Sequence, residues 1–181
     1  MNAVHEMRLY PTELRAWSAL YRDMSFLPHW HEEIELILVR EGSVDIRVGG
    51  SAFTARKNDL IICEGSIVHS GDFRGEANAL EFIVFNPGLV HTAARPPRPR
   101  CSHIPRDRQA ATGLLPETLR LFREVPQELA GQASGYSEIV KGLLRAYWYR
   151  VLRLFPAEDA AEPADSAPNP AEARIQELLY E

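Results

Sequence analysis

The chain has 181 residues, 45% of them hydrophobic, enough for one well-packed domain with an appendage and too few for two large ones. Its formal net charge of -5 speaks against a surface of clustered Lys and Arg that grips phosphates. Its two cysteines, Cys63 and Cys101, suggest neither a disulfide framework nor a thiolate metal site, and neither a leader peptide nor an apolar run of the roughly 20 residues that span a bilayer is visible, so a cytoplasmic protein is expected.

Residues 1–25 mix polar groups with Tyr10, Trp17, Leu20 and Tyr21, as an arm that packs on something else would. From Ile34 the chain alternates. Ile34, Leu36 and Leu38 share one face while Glu33, Glu35 and Ile37 share the other, the period of a strand. Ser43–Val48 alternates again, and Gly49-Gly50 supplies a turn from which Ser51–Ala55 returns as a hairpin. Asn58-Asp59 marks a second turn, Leu60–Cys63 a short buried strand, Glu64–Ser66 a third turn and Leu80–Phe85 another strand, closed by Asn86-Pro87-Gly88. Short strands at such close turn spacing predict a mainly β domain, a barrel or sandwich.

Residues 91–110 change character: the arginines Arg95, Arg98, Arg100, Arg106 and Arg108 stand among prolines in a connector expected to be neither strand nor helix. Arginines in such company keep a loop soluble more often than they touch DNA. Residues 111–156 follow as a helical tail of two α-helices, Pro116–Leu129 and Tyr136–Phe155. In the second helix Leu143, Leu144, Tyr147, Trp148, Val151 and Leu152 recur at three- and four-residue spacing. So broad an apolar face can pack on the barrel with one stripe and pair with a second copy through another, and these six residues are the expected dimerisation set. Residues 157–171, rich in Pro, Ala, Asp and Glu, form a linker, and Ile175, Leu178 and Leu179 in residues 172–181 have helical spacing.

The chemistry centres on His29-Trp30-His31 and Glu35. Strand alternation lets His29, His31 and Glu35 point into one pocket, where two imidazoles and a carboxylate suit a divalent metal such as zinc, nickel, iron or manganese. The same side chains could instead bond one another or a ligand, with no metal. Trp30, of opposite parity, belongs at the exterior or rim. Glu32 and Glu33 are expected to be solvated, Cys63 to be inert core, and Cys101 to be open to surface oxidation only.

His29-Trp30-His31, Glu35 and Gly42 match the first motif of the cupin superfamily, and His69 resembles the histidine of its second motif. That second motif is degraded: Asn58, Glu64 and Ser66 stand where Gly, Pro and Gly are usual, while Asp59 is as expected. The resemblance implies a cupin-type antiparallel β-barrel, the double-stranded β-helix or jelly roll, over residues 1–90, with His69 as fourth ligand. The run from Pro28 to Leu36, with Val68-His69-Ser70, further resembles the N-terminal half of AraC-type transcription regulators. That likeness implies a domain that senses a small-molecule effector at His29, His31, Glu35 and His69 and forms a homodimer through 111–156. DNA would be reached only through a C-terminal helix-turn-helix domain expected to be missing here beyond its opening helix, Arg174–Leu179. No catalytic residues are assigned on this reading. The rival is a small metal-dependent cupin enzyme, a dioxygenase, isomerase or decarboxylase.

Overall fold

Alternation in the sequence becomes layering in space. The computed structural model describes residues 3–7, 9–10, 13–73, 75, 77–91, 98–99 and 101–156, and the expected linker and final helix at 157–181 lie outside them. Ten strands among the described residues are β1 Val4–His5, β2 Ala16–Arg22, β3 Phe26–Trp30, β4 Ile34–Glu41, β5 Ser43–Val48, β6 Ser51–Arg56, β7 Leu60–Cys63, β8 His69–Asp72, β9 Ala79–Phe85 and β10 His103–Ile104. They form two five-stranded sheets: sheet I in the order β1-β3-β8-β5-β6 and sheet II in the order β10-β7-β4-β9-β2. Every pairing is antiparallel except that of β1 with β3. Three helices follow, α1 Arg106–Ala111, α2 Leu115–Gly131 and α3 Tyr136–Leu154.

Within sheet II, β4, β7 and β9 are buried on both faces, which explains why Leu60–Cys63 reads as a continuous apolar run. On one face Ile37, Val39, Ile61, Cys63, Leu80 and Phe82 meet Val44, Ile46, Val48 and Ala55 of sheet I. On the other, Ile34, Leu36, Leu38, Leu60, Ile62, Ile83 and Phe85 pack against Leu121, Phe122 and Val125 of α2 and Val140, Leu144, Trp148 and Val151 of α3. Gly42 turns β4 into β5 with φ of +68°, and a Cβ there would lie 2.2 Å from the Ala77 carbonyl oxygen, so only glycine fits.

Three expectations change. Within residues 1–25, β2 pairs with β9 along its whole length, from Ala16 opposite Phe85 to Arg22 opposite Ala79, and is part of the barrel rather than an arm. The 91–110 connector contains β10 and most of α1. Pro105 adopts φ of -58° at the N-cap, a value the first turn of a helix accepts, so proline here starts a helix instead of preventing one. Asp59 then bolts this segment to the barrel: its carboxylate accepts from the Arg56 and Arg106 backbone N–H groups at 2.9 and 2.8 Å and contacts His103 Nε2 at 2.9 Å. Gln109 adds two bonds from its side-chain amide, to the carbonyls of Asn58 and Ile104 at 2.8 and 2.9 Å.

The third change concerns α3. Leu144, Tyr147, Trp148 and Val151 are buried in this chain's own core, so the pairing role expected of these four side chains gives way to a packing role. Tyr147 shares a 2.7 Å hydrogen bond with the Thr118 hydroxyl inside that core. Leu143 and Leu152 are only partly buried at the core's margin, and Ile139 and Tyr149 are exposed.

Candidate functional site

The four side chains singled out from the motifs converge. His29 stands on β3 directly opposite His69 on β8, with ring centroids 4.3 Å apart, and the His31 ring lies 4.9 Å from that of His69. Glu35 reaches them from β4, across the space between the sheets. The expectation of one strand carrying His29, His31 and Glu35 is therefore corrected: the chain leaves sheet I at His31 and enters sheet II at Ile34. The Ser66 N–H donates to the His31 carbonyl at 2.7 Å and holds this crossing in place. Alternation survives within each strand, and that is enough to turn the groups inward.

Backbone carbonyls orient two of the imidazoles. His29 Nδ1 lies 2.8 Å from the Leu27 carbonyl oxygen and His69 Nδ1 lies 2.9 Å from that of Ile67. Each Nδ1 thus carries the proton it donates, and each Nε2 turns into the pocket, the arrangement typical of a metal-binding histidine. His31 Nε2 and His69 Nε2 each lie 3.4 Å from a Glu35 carboxylate oxygen. Both are buried ring nitrogens that make no hydrogen bond. One donor atom from each of the four residues falls within 4.8 Å of the others. Two ligands bound at ~2.1 Å to a tetrahedral ion are about 3.4 Å apart, so the spacing and the unsatisfied nitrogens fit a shared divalent cation better than a hydrogen-bonded cluster. Residues His29, His31, Glu35 and His69 would hold it, and an ion there would act as a Lewis acid or anchor a polar ligand.

Electrostatics suit the same role. Burial alone would raise the Glu35 carboxyl, yet the imidazoles of His31 and His69 beside it outweigh burial and hold it well below the usual carboxylate range. Glu35 is therefore a buried anion. Burial pulls His69 down but the adjacent Glu35 wins and raises it, whereas burial lowers His29.

Around the polar set the wall is apolar: Phe26 stands edge-on to His29 and His69 with centroids 5.8 and 6.3 Å away, and Phe82 backs Phe26 at 6.0 Å. Cys63 sits opposite Glu35 across β4 and β7, and burial pushes its thiol well above the ordinary range, consistent with inert core. Trp30 points away from the pocket, stacked on His5 with centroids 4.0 Å apart. Glu32 is exposed, but Glu33 is not solvated as expected: it is 5% exposed, with its carboxylate 3.7 Å from His31 Nδ1 and 3.9 Å from Arg15 Nη2. Among the connector arginines, Arg98 pairs with Glu64 at 3.1 Å and Arg108 lies over the Phe155 ring at 4.8 Å, while Arg95 and Arg100 lie outside the described residues. Sequence reasoning missed Glu6, whose Oε2 is 3.1 Å from His29 Nε2. A two-residue strand such as β1 leaves no periodicity by which that contact could be found.

A groove of about 380 Å³ between β2 and the end of α2, lined by Trp17, Leu20, Pro126 and Leu129, holds no comparable cluster; its one acid, Glu81, is tied to Arg40. The chemistry lies in the barrel.

Residues 13–147 match the family model described as the AraC-like ligand binding domain. No curated protein matches the chain. Among solved structures it is similar to the cupin domain of Schizosaccharomyces pombe Cnp3, at 15% identity and a TM-score of 0.40 over 45% of this chain and 59% of that one. An RmlC-like cupin from Shewanella frigidimarina is 13% identical with a TM-score of 0.38, over 41% of this chain and 68% of that one. A mutant of salicylate 1,2-dioxygenase from Pseudoaminobacter salicylatoxidans is 19% identical with a TM-score of 0.37, over 40% of this chain and 22% of that one. This chain therefore spans little more than half of the Cnp3 domain and about a fifth of the dioxygenase.

Proposed function

We propose, from the premise that this chain belongs to the family of AraC-like ligand-binding domains, that it senses a small-molecule effector in the pocket of His29, His31, Glu35 and His69. The observation that carries this reading is the buried, inward-facing set itself, with ring nitrogens of His31 and His69 that make no hydrogen bond. Such groups are costly to bury without a partner, and a bound ion, an effector or both would satisfy them. A divalent cation, whether zinc, nickel, iron or manganese, is the cofactor proposed for the site.

The proposed output is transcriptional. The effector stabilises one of two arrangements of the domain by binding it more tightly, and homodimerisation through the outer side of α3 carries the difference to a DNA-binding domain of the same regulator in the cytoplasm. The positions left for pairing are Leu143 and Leu152, at opposite margins of the buried face, and the exposed Ile139 and Tyr149. A metal-dependent cupin enzyme is the second reading, favoured by the four converging donors, which match what a catalytic metal requires.

Thermal denaturation tests the reading. Wild type and Glu35→Ala are melted with a panel of sugars and aromatic acids, each with and without zinc. A compound that raises the midpoint of the wild type and not of the variant supports effector binding at this site. Equal shifts in both proteins place the ligand elsewhere, and conversion of the compound by metal-loaded protein favours the enzyme.

A further inference from the structure

Pro126 stands inside α2 and has no N–H, so the carbonyl of Phe122 lacks the helical donor that position would otherwise supply. The barrel supplies one instead. Arg40 Nη2 donates to the Phe122 carbonyl at 3.3 Å, with its guanidinium carbon 6.0 Å from the centre of the Phe122 ring. β4 is shaped for this contact: Val39 faces Leu80 and Glu41 faces Ala79 on β9, which leaves Arg40 as the extra residue of a bulge. Its Nε is fixed by the carboxylate of Glu81 on β9, a side chain only 12% exposed.

Alanine at position 126 would close the Phe122 bond within α2 and make the arginine redundant. Proline transfers that bond to the strand that carries Glu35 into the pocket. The transfer falls at a boundary in the helix, because its buried residues, Thr118, Leu121, Phe122 and Val125, all precede Pro126. Beyond it, Pro126 and Glu81 border the groove of about 380 Å³ between β2 and the end of α2, so close packing does not clamp the last turns on that side.

We propose that Arg40 is a positioning residue that couples the pocket to α2: occupancy of the pocket shifts β4, and the bond from Arg40 to Phe122 passes that shift to the helix beyond Pro126. This rests on the reading of His29, His31, Glu35 and His69 as a ligand site that accepts a divalent cation. Arg40 faces α2, whereas Glu35 projects between the sheets, so the arginine acts through the strand. A bound ion drives the change by favouring one of two arrangements of β4.

Zinc serves as the probe of occupancy, with calorimetry to measure its binding. Amide hydrogen exchange across α2 is followed with and without zinc in the full chain and in its Arg40→Met, Pro126→Ala and doubly substituted variants. In Arg40→Met, exchange at residues 127–131 is expected to quicken about tenfold, the size of one lost hydrogen bond from a charged donor. Pro126→Ala returns the missing helical donor, so Arg40→Met should have little effect on those amides in that background. The cost of leaving Glu81 without Arg40 is common to both backgrounds and cancels in the comparison. Zinc should change exchange at 127–131 in the wild type and not in Arg40→Met, although both bind it. Protection unaffected by Arg40→Met, or lost equally in both backgrounds, overturns the hold of Arg40 on α2. A zinc response of α2 that persists in Arg40→Met, or is absent from a wild type with zinc bound, overturns the transmission and leaves the metal site standing. A wild type that binds no zinc overturns both the metal and the transmission, while the comparison of backgrounds still decides how α2 is held.

Discussion

Replacing Asp59 by alanine should detach β10 and α1 from the barrel. Its two oxygens serve two backbone N–H groups, those of Arg56 and Arg106, and the His103 ring, all within 2.9 Å. Hydrogen bonds to a charged acceptor contribute about 1.5–3 kcal/mol each, so three intact losses would sum to roughly 5–9 kcal/mol. That sum is too large here, because Arg56 and Arg106 are exposed and water can replace part of what is lost. One fully lost bond and two rehydrated ones give about 3 kcal/mol, a large part of the roughly 5–15 kcal/mol that holds a domain of this size together. Asparagine keeps one acceptor oxygen and should cost about half as much. Urea denaturation followed by tryptophan fluorescence measures the global change, and amide exchange at Gln109, whose N–H donates to the Pro105 carbonyl at 3.0 Å, reports the local one. Loss of protection at α1 before β4 and β9 is the expected signature. A change below ~0.5 kcal/mol, or uniform loss of protection in barrel and helix, would refute the idea that this carboxylate is the joint.

In the buried pair of Thr118 and Tyr147, Tyr147→Phe should cost about 1 kcal/mol, because the Thr118 hydroxyl still reaches the Leu114 carbonyl at 3.2 Å; Thr118→Val should cost about 2, because it leaves the tyrosine hydroxyl buried without its partner, and equal values in urea melts would contradict this asymmetry. Gly42→Ala combines a φ of +68° with a Cβ 2.2 Å from a carbonyl oxygen, so a loss of at least about 2 kcal/mol is expected by the same measurement, and a neutral result would mean that the β4–β5 turn can rearrange. Zinc affinity measured by calorimetry should rise with pH, since ligating imidazoles must be neutral; because Glu35 raises His69, a proton competes at that nitrogen above the ordinary imidazole range, and the rise should continue past pH ~6.5. Affinity that is flat from pH 6 to 8 would show that these histidines do not bind the ion.

What the sequence disclosed was local and periodic. The hairpin of β5 and β6 turns at Gly49-Gly50, with Val48 opposite Ser51, because alternation on both sides leaves only one register that buries Val44, Ile46 and Val48 together. The pocket residues could be read because the histidines and Glu35 belong to a dense motif within strands or at their ends. β1 and β10 were hidden by their length of two residues each, too short for a period and specified by partners far away in sequence. Glu33 was misread for a related reason: solvation is the default for adjacent acids, and only the fold brings Arg15 and His31 to it. In α3 the apolar positions were visible but not their direction. Periodicity defines a stripe without saying whether it meets a barrel or a second chain, and here the barrel took Leu144, Tyr147, Trp148 and Val151.

β4 links these observations mechanically. Glu35 and Ile37 project into the inter-sheet space, while Ile34, Leu36 and Leu38 project onto the cluster that includes α2 and α3. The pocket and the helical tail are thus separated by the thickness of one strand. Leu36 and Leu38 are fully buried, and close-packed side chains transmit displacement because they have little free volume in which to absorb it. A ligand that draws Glu35 toward the histidines must therefore either be accommodated within β4 or shift the seat of α3. The second sheet face, filled by helices rather than water, gives an occupied pocket a route to the outer surface of α3. β1 provides another, through the adjoining Glu6 on His29. Either route acts only if the ligand binds the two arrangements unequally, so protection of β1 and protection of the helices, measured in the same exchange experiment, separate them.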